Sequence, residues 1–136
     1  MPPPRADDYP ADAGARLHQA HALSVSLERV QESFRRYGLL DDQVRFLKGW
    51  FKDTLPTIPD PSWAVIRVDC DMYESTMDAL VNLYPNLSPG GYLIVDDYAL
   101  DPCRAAVHDF RREHGIRERI TEIDWTGIYW RRARSP

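Results

Sequence analysis

The sequence has only two cysteines, Cys70 and Cys103, and they form no metal-ligand spacing. That excludes a disulfide-stapled or zinc-clipped fold, and both residues are expected to stay thiols. No apolar stretch approaches the ~20 residues that a membrane span needs. The first eight residues, Met-Pro-Pro-Pro-Arg-Ala-Asp-Asp, hold no apolar signal core. A soluble, cytoplasmic protein with no membrane partner is the expectation. Positive charge is also short: 17 Lys and Arg stand against 21 Asp and Glu, a formal net charge of −4. The basic residues are scattered among acids, so there is no electrostatic footprint for nucleic acid. His18, His21, His108 and His114 lie apart and suggest no ligand set.

What is present fits a single α/β domain, since 136 residues can bury one core but not two substantial ones. Residues 1–16 carry Pro2, Pro3, Pro4 and Pro10 among Ala, Asp and Gly, a composition expected to form a disordered leader. Residues 17–136 are then the folded part. From Ser24 to Leu39 the Leu27, Val30, Phe34 and Leu39 spacing predicts a helix, with Ser24 or Ser26 as cap. Val44 to Gly49 alternates like a short strand, and Asp53 to Pro56 could open a helical turn that Pro56 and Pro59 cut off.

Two apolar runs then end in acids. Trp63-Ala-Val-Ile-Arg-Val leads into Asp69-Cys-Asp71, and Gly90-Gly-Tyr-Leu-Ile-Val leads into Asp96-Asp97. Between them Met77, Leu80, Val81 and Tyr84 recur at helical spacing, and Ser88 to Gly91 reads as a turn, so the stretch is a βαβ unit. A further helix starts near Pro102 and ends at Gly115. Residues 119–124 and 127–130 form a closing antiparallel hairpin that Trp125 and Trp130 are expected to pack onto the sheet.

Adjacent strands lie ~4.8 Å apart, so acids that end neighbouring strands can converge on one cation. Asp69, Asp96 and Asp97 offer the all-oxygen ligand set that a hard ion such as Mg2+ prefers. Asp71, two positions beyond Asp69, would project to the same side if the chain stayed extended, free to act as a general base. Taken singly, the bland reading is that Asp-x-Asp caps the next helix and Asp-Asp marks a turn. Together, each after a clean apolar strand, they favour a metal site.

Gly-Trp-Phe-Lys-Asp-Thr-Leu-Pro at 49–56, Arg-Val-Asp-Cys-Asp-Met-Tyr-Glu-Ser-Thr at 67–76 and Gly-Gly-Tyr-Leu-Ile-Val-Asp-Asp-Tyr at 90–98 resemble the macrocin O-methyltransferase family. The similarity runs from about His21 to Trp130 and includes the closing Asp124 to Trp130. The resemblance implies an S-adenosylmethionine- and magnesium-dependent enzyme that methylates a sugar hydroxyl on a macrolide-like or other glycosylated natural product. It also implies Asp69, Asp96 and Asp97 as metal ligands and Asp71 as general base. Gly49, Trp50 and Phe51 would approach the cofactor, although the two aromatics could equally be core, and Tyr73 and Tyr98, just past the acids, could either line the acceptor pocket or pack. The chain departs from the family in having no Gly-rich loop after an early strand and no acid-tipped second strand. It therefore maps to the carboxyl-terminal half of a Rossmann-like class I methyltransferase sheet, without the first two strands of the order 3-2-1-4-5-7-6. Exposed edges around the missing strands suggest a self-pairing homo-oligomer. Two other readings stay open: a non-catalytic remnant or interaction module, and a haloacid-dehalogenase-type phosphatase using Asp69-x-Asp71. Tyr73 and the single intervening helix count against the phosphatase.

Overall fold

The computed structural model describes residues 3–16, 19, 24–59 and 62–133. Its centre is a four-stranded mixed sheet in the order β1-β2-β4-β3, built from β1 (Trp63–Val68), β2 (Leu87–Val95), β3 (Thr121–Glu122) and β4 (Ile128–Arg131). β1 and β2 run parallel with Val68 opposite Val95, whereas β4 lies antiparallel to β2 with Val95 opposite Ile128. The expected βαβ unit and closing hairpin are therefore present.

Helices cover one face of this sheet. α3 (Tyr73–Leu83) joins β1 to β2, α4 (Asp101–Glu113) leads toward the hairpin, and the two pack against each other. Their inward residues Leu80, Val107 and Phe110 meet Val68, Leu93, Val95 and Trp130 in one core. Trp130 is fully buried, as expected, its indole N–H reaching the Tyr84 hydroxyl at 3.3 Å. Burying an aromatic of this size contributes on the order of 3 kcal/mol. β1 buries one face only: Ile66 and Val68 are buried, while Val65 is 54 % exposed on the uncovered side, which it shares with Arg67.

Several sequence expectations are corrected. Residues 3–16 are not a loose leader: they include a 3-10 turn at Pro10–Asp12, and Asp12 is completely buried. Val44 to Lys48 pairs with no strand, because among the described residues β1's outer edge has no ladder partner for it. Ser88 to Gly91 is not a turn that launches a strand but lies inside β2, where the register with β1 slips between Trp63 and Val65. Gly91 suits this irregularity, since a Cβ there would stand 2.8 Å from the Ala64 carbonyl oxygen. The early helix is α1 (Leu27–Arg36), and Ser26 caps it by accepting from the Arg29 N–H at 3.3 Å. None of its residues is buried. The turn expected at Asp53 begins two residues earlier, as α2 (Phe51–Thr54) followed by a 3-10 turn at Leu55–Thr57.

Candidate active site

Both acid motifs stand where their strands stop. Asp69 follows β1, Asp96 and Asp97 follow β2, and the Asp96 N–H donates to the Val68 carbonyl at 2.9 Å, tying the two strand ends together. One carboxylate oxygen from each of Asp69, Asp96 and Asp97 falls within 4.8 Å of the others. Three oxygen donors at that spacing fit a hard divalent cation and offer nothing to a soft one. Arg67, which sequence reading did not single out, supplies positive charge here: one guanidinium nitrogen lies 3.1 Å from Asp69 and 2.6 Å from Asp96. The signal was available, because alternation along β1 puts residue 67 on the same side as residue 69.

Asp71 does not continue an extended chain. Its φ is 57°, in the left-handed region that costs a non-glycine residue about 1–3 kcal/mol. The turn is pinned, since Cys70's carbonyl accepts from both the Met72 N–H and the Ser75 hydroxyl at 2.5 Å, while the Asp71 N–H donates to Asp97 at 3.2 Å. Strain held so firmly beside an acid cluster is a common mark of a functional site. Burial first and the Asp97 charge second push the Asp69 carboxyl above its ordinary range. Burial and the Asp69 charge do the same to Asp71, and burial, Asp71 and Asp96 to Asp97. A bound cation would relieve that repulsion.

Two cavities flank the acids. The first, of about 380 Å³, brings Gly49, Trp50 and Phe51 together with Asp69 and Asp71, and Arg5 closes one side. Gly49 is required there: its φ is 154°, and a Cβ would lie 2.6 Å from Thr54. Trp50 and Phe51 are not core residues, being 51 % and 39 % exposed. The second cavity, of about 350 Å³, is bordered by Tyr98 and the turn before β4. Tyr73 lines neither: its hydroxyl donates to Asp109 at 3.0 Å, and its ring packs beside Tyr9. Trp125, expected to pack on the sheet, is instead 89 % exposed at the second cavity.

A third contribution escaped sequence reading altogether. Asp12 accepts from the Tyr73 N–H at 2.6 Å and from the Glu74 N–H at 3.1 Å, capping α3 just after the acid loop. Arg5 also pairs with Glu74, its Nε donating at 3.1 Å.

A mixed α/β sheet with an acid cluster at the carboxyl ends of its parallel strands defines a protein of the open α/β class, with a candidate site at the strand tips. The chain belongs to the macrocin-O-methyltransferase (TylF) family, whose profile matches residues 1–132. It is 60% identical over 132 residues to the 8-demethyl-8-(2,3-dimethoxy-alpha-L-rhamnosyl)-tetracenomycin-C 4'-O-methyltransferase of Streptomyces olivaceus, covering 96% of this chain and 51% of that protein. It is 58% identical over 130 residues to the mycinamicin III 3''-O-methyltransferase of Micromonospora griseorubida, covering 93% of this chain and 51% of the relative. Among solved structures it superposes on the O-methyltransferase NovP with a TM-score of 0.93 at 51% identity, over 98% of this chain and 56% of that one. The chain thus spans about half the length of the curated relatives it matches. The match includes residues 3–16, which hold the turn at Pro10–Asp12. Nothing in these matches supports the phosphatase reading.

Proposed function

We propose that this chain forms the metal- and acceptor-side half of an S-adenosylmethionine-dependent O-methyltransferase that acts on a sugar hydroxyl of a glycosylated natural product. Its four strands then correspond to the 4-5-7-6 part of a class I methyltransferase sheet. The carrying observation is the convergence of the Asp69, Asp96 and Asp97 carboxylates at the ends of adjacent strands, with the Asp71 backbone N–H tied to Asp97. Asp69, Asp96 and Asp97 would hold Mg2+, and the half-exposed Trp50 and Phe51 in the first cavity suit the flat adenine of the methyl donor. Bound there, the ion would lower the pKa of an acceptor hydroxyl and S-adenosylmethionine would supply the methyl group. Asp71 would take the hydroxyl proton, a role favoured by a carboxyl that burial makes more basic than usual. Arg67 would swing away from Asp69 and Asp96 as the cation enters, its charge no longer needed there.

Thermal unfolding with and without Mg2+ tests this. The wild-type chain should gain stability with added Mg2+, Asp96→Asn should lose that response, and Asp71→Asn should keep it. An Asp96→Asn chain that responds like the wild type would refute the metal assignment. The unburied α1 and the bare sheet face at Val65 and Tyr92 favour a second role beside the first: a surface against which further protein packs.

A further inference from the structure

Trp125 is 89 % exposed, yet its backbone is firmly held. Asp124 accepts from the Thr126 N–H at 2.9 Å and the Gly127 N–H at 2.8 Å, the Ile123 N–H reaches the Gly127 carbonyl at 2.9 Å, and the Ala99 N–H reaches the Thr126 carbonyl at 3.2 Å. A rigid turn therefore presents an indole that contributes nothing to the core. The turn also has a defined place. Val95 is opposite Ile128, so the residues just before β4 stand over the same end of the sheet as Asp96, about 4.8 Å away across one strand spacing. The second cavity, about 350 Å³, thus lies on the β4 side of the acids, whereas the first includes Asp69 and Asp71 on the β1 side.

The polar groups around Trp125 narrow the ligand class. Arg104 is spent on the Tyr98 and Ala99 carbonyls and on Asp101, the Thr126 hydroxyl on Asp124, and the Tyr98 hydroxyl on His108. What remains is acceptor-rich: the second oxygen of Asp124, and Glu122, which has no hydrogen-bond or ion-pair partner among the described residues. An aromatic face beside carboxylate acceptors suits a neutral sugar, whose C–H face stacks on the indole while its hydroxyls donate to the carboxylates. The same carboxylates repel a diphosphate.

We propose that this second cavity binds the neutral glycoside acceptor, with Trp125 as its stacking platform, and rejects nucleotide-activated sugars. The assignment rests on the O-methyltransferase reading above. It places the acceptor on the side of the acids opposite the first cavity.

The test uses the whole 15N-labelled chain and 4-nitrophenyl α-L-rhamnopyranoside, followed by NMR. Saturable shifts are expected at the Trp125 indole N–H, identified by its absence in Trp125→Phe, and at the Thr126 and Gly127 amides. Trp125→Ala should weaken binding about three- to tenfold and Trp125→Phe less, without changing Tm, because so exposed a side chain supports no packing. A nucleoside-diphosphate rhamnose should bind more weakly than the glycoside. The proposal is overturned if the wild type shows no shifts at the turn, if Trp125→Ala binds as well as the wild type, or if the nucleotide sugar binds more tightly. The Mg2+ response of Trp125→Ala should stay intact, so failure here and failure of the metal reading, seen in Asp96→Asn, are told apart.

Discussion

Replacing Asp12 with alanine should destabilise the chain by far more than its place in a proline-rich leader suggests. Its carboxylate is fully buried and accepts two backbone N–H bonds, from Tyr73 at 2.6 Å and Glu74 at 3.1 Å, supplying from 61 residues upstream the cap that Met72 does not. An ordinary cap contributes about 1 kcal/mol, and a charged acceptor at a helix N-terminus with both partners left dry raises that to about 3 kcal/mol. For a domain of this size each kcal/mol moves Tm by about 3 °C, so Asp12→Ala should unfold about 10 °C lower by far-ultraviolet circular dichroism. Asp12→Asn keeps an acceptor and should lose about half as much. Arg5→Ala is the control: its ion pair with Glu74 is partly exposed, and its loss should cost under about 1 kcal/mol. If Asp12→Ala melts within about 2 °C of the wild type, the leader does not hold α3, and the account of the acid loop's support is wrong.

The pH dependence of the acid cluster has a definite sign. Burial, Asp71 and Asp96 hold the Asp97 pKa above its ordinary 3.8, so the folded chain keeps that proton longer than the unfolded one. Stability contributed by this group is present at low pH and lost as pH rises from 3.8 through the raised value. Denaturant titrations should therefore show Asp97→Asn gaining on the wild type across that window and holding a constant lead above it, a lead that Mg2+ reduces for the wild type alone. A gap that shrinks with rising pH contradicts the burial and repulsion invoked here. Burial also pushes the Cys70 thiol up to about 12 and Cys103 to about 11. Neither should react with iodoacetamide in the folded chain at pH 8, and labelling at the rate of free cysteine would contradict their burial.

The parts of the site that could be read in the sequence are those that local chemistry specifies. An apolar run that stops at an acid marks a strand end, and two such ends in one βαβ unit are neighbours, which is why Asp69, Asp96 and Asp97 meet. The parts that could not be read depend on distant partners. Composition averages the leader and cannot register one carboxylate that finds a helix terminus 61 residues away. Alternation at Val44 to Lys48 expresses a capacity to pair, and pairing needs a neighbour that the described residues do not include. Asp71 escaped because aspartate tolerates the left-handed region, so nothing in its identity distinguishes an extended site from a tight turn. Trp125 escaped because an aromatic beside a strand suggests packing, whereas the Asp124 turn directs it outward.

The acids are held in two different ways. Asp69 and Asp96 are fixed by the strands they terminate, a ladder that continues into the Asp96 N–H to Val68 bond. Asp71 is fixed differently, by a strained turn whose exit is the first turn of α3, itself capped by Asp12. The proposed cation ligands thus follow directly on the strands of the sheet, while the proposed proton acceptor rests on a loop whose geometry depends on the amino-terminal segment. A substitution in that segment can therefore loosen Asp71, and with it the bond from the Asp71 N–H to Asp97, while Asp69 and Asp96 stay in place. The leader that composition would dismiss thus supports the turn that carries the proposed base, Asp71.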